Sequence, residues 1–186
     1  MSNTSKNIQI GQTFKETKKR RQLQMPLVFE CKVKKHMLNS QQLETLEMMF
    51  VEAKWIYNYI LNLSNDHQLD IFNFKMKDLK EVWHFNKDHE YVNETLKYIG
   101  SSMKDSLLDT MIGSIKALAK LKENGHKVGA LDFISEYKSI TLKQYNITHK
   151  VVSSNRIKVQ GIKKALPVTG LKQLTKLGLS FEYANA

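Results

Sequence analysis

Asp66 and Asp70 flank His67 in a short polar stretch, and His84 stands four residues before Asp88, with His89 following. Carboxylates and imidazoles spaced this closely can hold a metal or move a proton when the fold aims them at one point. Here the spacing argues otherwise. "SNDHQLD" reads as a loop between helices, and a helix face shared by His84 and Asp88 would leave His89 pointing elsewhere. Two ligands also fall short of the three or four that zinc takes. Asp105 and Asp109, one helical turn apart, read as a solvated face. There is no HExxH or CxxC, and Gly161 and Gly170 stand alone rather than in a phosphate-cradling loop. A single cysteine, Cys31, excludes a disulfide framework or a cysteine cage within these residues. The reading is no catalytic residue, no metal ligand and no cofactor in this chain.

Charge is more informative than any candidate catalytic pair. The net charge is +11, and it is unevenly placed. Residues 1–24 carry six Lys/Arg against one acid, and residues 137–186 carry nine against one. Between them, fourteen basic residues meet sixteen acidic ones. Cationic ends around a near-neutral middle suit a polyanion, because clustered Lys and Arg release counterions from phosphates. Hydrophobic and charged contents of 41% and 25% are those of a globular protein. No apolar run reaches the roughly 18–20 residues that cross a bilayer, and no signal-peptide pattern opens the chain. The expected setting is the cytoplasm, at the nucleoid in a prokaryote.

The elements that would position these charges follow from periodicity. Residues 1–25 read as a flexible basic arm. "LVFECKVKK" alternates with a period near two, giving a first strand within 26–37. Asn39 or Ser40 caps a helix running to about residue 63, whose expected buried face is Leu43, Leu46, Phe50, Ala53, Tyr57 and Ile60. Residues 75–84 read as a shorter helix with Leu79, Val82 and Trp83 inward. A longer helical stretch follows from about 90 to 123, broken near Gly100 and striped by Met103, Leu107, Met111, Ile115, Leu118 and Leu121. After residue 128 the chain turns β-rich in "YKSITLKQ", "HKVVSS" and "RIKVQGIKKALPV", with "SSN" at 153–155 as a hairpin turn. A lone early strand needs sheet partners, and these lie only beyond residue 137. The expected architecture is therefore α+β: a small β-barrel of residues 26–37 and 129–186, interrupted by an inserted helical bundle over 38–128.

This order of features resembles the amino-terminal part of TnpB-type transposon-encoded RNA-guided nucleases and their type V CRISPR effector descendants. "AKWIYNYIL" (Ala53–Leu61) is similar to the family's helix pattern A-[RK]-[FWY]-x-Y-N-x-x-L. "SSMKDSLLDTMIGSI" (Ser101–Ile115), "GHKVGALDF" (Gly125–Phe133) and "SIT" (Ser139–Thr141) follow in the family's order. "RIKVQGIKKAL" (Arg156–Leu166) resembles a later strand region more loosely, so the likeness spans roughly residues 27–170. Ala130, Leu131, Ile134, Ser135 and Ser102 depart from the pattern.

The resemblance implies a wedge-like barrel and a recognition bundle that hold guide RNA and the guide–target duplex and contact flanking DNA. It implies that the nuclease lies elsewhere, in a carboxy-terminal half or supplied by a second chain. If a RuvC-like domain follows, the complete protein is an RNA-guided DNA endonuclease, and magnesium and zinc belong to that half alone. Guide RNA and target DNA are the expected partners, with a second copy or a nuclease half beside them and no membrane.

The candidate nucleic-acid contacts are Lys18, Lys19, Arg20 and Arg21 in the arm, and Lys32, Lys34, Lys138, Lys143, Arg156, Lys158, Lys163 and Lys164 in the barrel. Lys54 and Lys104 join them from the helices, and the resemblance adds Ser139 and Thr141. Trp55 reads as packing. Tyr57 and Asn58 have two open roles, a contact with the duplex or a packing ring beside a backbone-bonded amide. Two other functions compete: a guide-free DNA-binding transposon regulator, and a helical protein-interaction module.

Overall fold

Residues 12, 13, 15–19, 22, 23 and 28–178 are described in the computed structural model, which divides into two units, residues 1–30 and 31–186. In the first unit, residues 12, 13, 15–19 and 22 are helical where the sequence suggests an aperiodic arm. Lys and Glu in this stretch are good helix formers. Arg20, Arg21 and residues 179–186 lie outside the described residues.

In the second unit, Asn39 starts the first long helix. Its side chain accepts from the Gln42 N–H at 2.8 Å, while Gln42 Oε1 accepts from the Asn39 N–H at 3.1 Å. This reciprocal cap opens α1, Ser40–Asn65. The buried face of α1 is Met49, Ala53, Ile56 and Ile60, a stripe turned from the expected one, and Leu43 and Phe50 stay exposed. Glu52 explains the turn. It is buried on this face, where its carboxylate meets the backbone N–H groups of residues 97–99.

The helix expected over 75–84 is replaced by a single 3-10 turn, Met76–Asp78, and strand β2, Glu81–Phe85. Its partner β3, Tyr91–Thr95, occupies the start of the expected 90–123 helix. Val82, Trp83, His84 and Phe85 alternate inward and outward with period two, and tertiary contact selects that period over the helical spacing of Leu79, Val82 and Trp83. Asn86 closes the hairpin: its side-chain oxygen accepts from the N–H groups of Asp88 and Glu90, both at 2.9 Å. Helix α2, Ser101–Glu123, follows with Gly100 at its N-cap position; Met103, Leu107 and Met111 are buried against α1 and Leu121 is exposed near its end.

"YKSITLKQ" forms no strand. Residues 126–144 are irregular, with Leu131, Tyr137, Ile140 and Leu142 packed on the core. The β-rich expectation holds further on, in β4 (His149–Ser153), β5 (Arg156–Val159) and β6 (Leu166–Thr169), and "SSN" supplies the β4–β5 turn. The early strand β1 is only Lys32–Val33, and it pairs antiparallel with β6. The four-stranded order is β1-β6-β5-β4, and β2-β3 forms a separate two-stranded sheet. A short helix α3, Lys172–Lys176, follows.

The fold is thus mixed α+β with antiparallel sheets. Ile162 and Leu166 from the sheet region join the same buried cluster as α1, α2 and Val82. Burying each such side chain contributes about 1.5–3 kcal/mol. Gly161 permits the close approach: its φ is +83°, and an added Cβ would lie 2.6 Å from Met49 Cε. No helix among the described residues is long and apolar enough to cross a membrane.

Candidate nucleic-acid interface

The pairing register of the four-stranded sheet decides which side chains share a face. Residues directly opposite in an antiparallel pair project to the same side, and those two apart along a strand do too. Lys32 lies opposite Thr169, Arg156 opposite Pro167, and Lys150 opposite Lys158. Pro167 and Thr169 are two apart on β6, and Arg156 and Lys158 are two apart on β5. Lys32, Arg156, Lys158 and Lys150 therefore share one face, drawn from three strands.

The opposite face carries Val33, Val151, Ile157, Val159, Leu166 and Val168, of which Leu166 and Val168 are buried. Register shifts between Val151 and Ser153, which leaves Val152 as the extra residue and keeps Ser153 opposite Arg156 on the cationic side. Among the described residues no carboxylate pairs with Lys150, Arg156 or Lys158. Two of them bond to backbone instead: Lys158 Nζ donates to the Lys163 carbonyl, and Arg156 Nη1 to the Ala165 carbonyl at 3.4 Å. Lys150 was not singled out in the sequence, although alternation in "HKVVSS" marks it as outward; its cross-strand neighbour Lys158 is what gives it weight.

The other candidates divide by what they touch. Lys163 and Lys164 are exposed in the β5–β6 connection, and the Lys164 carbonyl accepts from Gln42 Nε2 at 3.2 Å, which ties this turn to the start of α1. Lys34 is half-buried and its N–H donates to the Pro167 carbonyl at 2.9 Å. Lys138 pairs with Glu136 at 3.1 Å and Lys143 with Asp109, so both charges are partly matched. Ser139 and Thr141 are exposed, on irregular chain rather than a strand. Lys18 and Lys19 are exposed helical residues of the first unit.

Lys104 is a correction. It is buried, and its Nζ donates to the Leu79 carbonyl at 2.8 Å, which leaves it no reach to a phosphate. Burial pulls its pKa below the ordinary lysine value, with the nearby Glu52 charge opposing that shift.

Asn58 bonds the protein's own backbone. Its Nδ2 donates to the Ile134 carbonyl and its Oδ1 accepts from the Ile134 N–H, both at 2.9 Å. The amide imitates a neighbouring strand and pins the irregular segment to α1 across 76 residues of sequence. Tyr57 is half-buried, its ring 6.1 Å from that of Tyr137, and burial followed by the Asp132 charge raises its pKa. Trp55 stacks on His84 at 3.9 Å with planes 10° apart. Beside them, Lys54, Trp55, Asn58, Tyr59, Trp83 and Phe133 are among the residues lining a groove of about 700 Å³.

The acid–imidazole pairs do not converge. His84 and Asp88 lie on a strand and its turn rather than on one helix face, while Asp66 accepts from Asn62 and Asp70 from Phe72 and Asn73. Among the described residues no three His, Cys, Asp or Glu side chains gather in a way that would hold a metal ion. Compared with family models, curated proteins and solved structures, the chain matches none.

Proposed function

We propose that this chain is the nucleic-acid-binding portion of an RNA-guided DNA-targeting protein of the TnpB and type V effector kind. In this reading the four-stranded sheet is the core of a wedge-like barrel. The helices and the β2–β3 hairpin are its inserted recognition bundle, and guide RNA lies on the cationic face. The observation that carries it is the register aligning Lys32, Lys150, Arg156 and Lys158 on one side of a sheet. That sheet joins an early strand to late ones, as the resemblance implies. Phosphate contacts of this kind hold and orient a nucleic acid, while base pairing supplies sequence in guide-directed systems.

The test is binding of the full chain to its own flanking transcript and to duplex DNA across a salt series. Tight RNA binding is expected, with affinity falling steeply as salt rises. Replacing Lys150, Arg156 and Lys158 together by Glu removes most of it and flattens the salt slope by about three, while circular dichroism stays unchanged. Specific duplex binding without RNA identifies a guide-free DNA-binding regulator instead. RNA affinity indifferent to the triple reversal discards the cationic face and favours a protein-interaction module.

A further inference from the structure

The β2–β3 hairpin carries a second surface of a different kind. Its register places Trp83 opposite Asn93 and Phe85 opposite Tyr91, so Trp83, Phe85 and Tyr91 share a face. Val82 and His84 project to the other face, toward α1, where Val82 is fully buried and His84 stacks on Trp55. The outward rings form a ladder: Trp83 stacks on Tyr91 at 5.2 Å, and Phe85 tilts against Tyr91 at 5.1 Å. All three keep much of their surface in solvent, at 43%, 67% and 51% exposure for Trp83, Phe85 and Tyr91. Phe133, 57% exposed, belongs to the same groove, held in place through the bonds between Asn58 and the neighbouring Ile134.

Large rings left outward at such cost mark a contact surface. The groove has a volume in the range of ligand sites. Its lining includes Lys54 and no carboxylate, with Asp66, bonded by Asn62, close enough to act on Tyr91. Two hairpin carboxylates stand near its edge: Glu94, on the face toward α1, comes within 3.9 Å of His84 Nε2, and Glu81, on the ring face, accepts from Asn93 at 2.8 Å. Asn58 and Asn62 line the groove with amide capacity beyond the bonds they make. His84 Nε2 is buried and makes no hydrogen bond among the described residues, its nearest charge being the Glu94 carboxylate. Flat π-faces, amide edges and one cation fit a ligand of planar rings joined by anions.

We propose that this aromatic groove stacks the bases of an unpaired nucleic-acid strand on Trp83, Tyr91, Phe85 and Phe133, with Lys54 on its phosphate. The inference rests on the chain being a nucleic-acid binder but does not require the cationic sheet face. Stacking of this type tolerates any base, because every base has a π-face.

The two tryptophans of the chain, Trp55 and Trp83, both line the groove, so intrinsic fluorescence reports on it directly. Titrating the full chain with a short unpaired oligonucleotide of mixed sequence quenches that fluorescence to saturation. An abasic strand of equal length, with the phosphates but not the rings, leaves it nearly unchanged. Phe85→Ala and Tyr91→Ala each weaken binding roughly fivefold to a hundredfold, at exposed positions where circular dichroism verifies an intact fold. The triple sheet reversal retains the quench while losing structured RNA, which separates failure of one reading from failure of the other. Absence of quench, equal quench by the abasic strand, or indifference to both ring variants overturns the proposal. So does a signal that tracks self-association or a hydrophobic peptide in place of the oligonucleotide.

Discussion

In the body built from α1, α2 and the β2–β3 hairpin, polar side chains turn inward and hold the chain. Glu52, 1% exposed, accepts from the N–H groups of Lys97, Tyr98 and Ile99 at 2.7–2.9 Å. Lys104 bonds Leu79 and Asn58 clasps Ile134. In the four-stranded sheet, Lys150, Arg156 and Lys158 meet no carboxylate among the described residues and stand on one face. A buried charge must be fully bonded or it costs several kcal/mol, so the first set is committed to structure. A partly exposed cation carries no such requirement and remains available to a partner. Residue type alone does not separate the two: Lys104 and Lys158 are the same side chain in opposite employment.

The contrast breaks most visibly at Glu52. Glu52→Ala strands three inward N–H groups and removes the charge that offsets Lys104, with an expected loss of about 3–5 kcal/mol. A melting temperature lowered by roughly 10 °C, with nucleic-acid affinity preserved in the folded fraction, is the outcome expected in thermal denaturation. A smaller cost belongs to Asn58. Asn58→Ala leaves the Ile134 backbone groups unmatched, for about 1–2 kcal/mol, and hydrogen exchange or limited proteolysis quickens within residues 126–144 before anywhere else.

The sheet has its own pH dependence through His149. Burial lowers the His149 pKa, so the unfolded chain takes up a proton that the folded chain resists. Its contribution to stability is full above the ordinary histidine range and declines as pH falls below about 6.5. Denaturant midpoints between pH 7.5 and 5.5 measure the decline, and His149→Gln makes the curve shallower. The smallest effect sharpens the comparison from the other side. Lys104→Gln lowers the melting temperature but leaves RNA affinity within about twofold, whereas Lys158→Glu weakens it, by several-fold at low salt.

Much of this was legible in the sequence wherever the controlling contacts are local. The cap at Asn39 needs only Gln42, and the turn at 153–155 needs only its neighbours. The helix from Ser101 shows its stripe without help. The hairpin is ambiguous in sequence because Leu79, Val82 and Trp83 satisfy a helical spacing while Val82 to Phe85 also satisfy a strand. The choice fell to α1, against which β2 packs.

Sequence by itself determined the charge partition, the α+β class and the outward alternation in "RIKVQG", because each follows from residue type and spacing along a short stretch. Only the tertiary structure decided that Lys32 and Lys150 share a face with Arg156 and Lys158, that Lys104 is buried, and that Asn58 answers Ile134. Those are contacts between residues far apart in the chain. Their register and burial depend on how all the intervening elements pack, which no local pattern encodes.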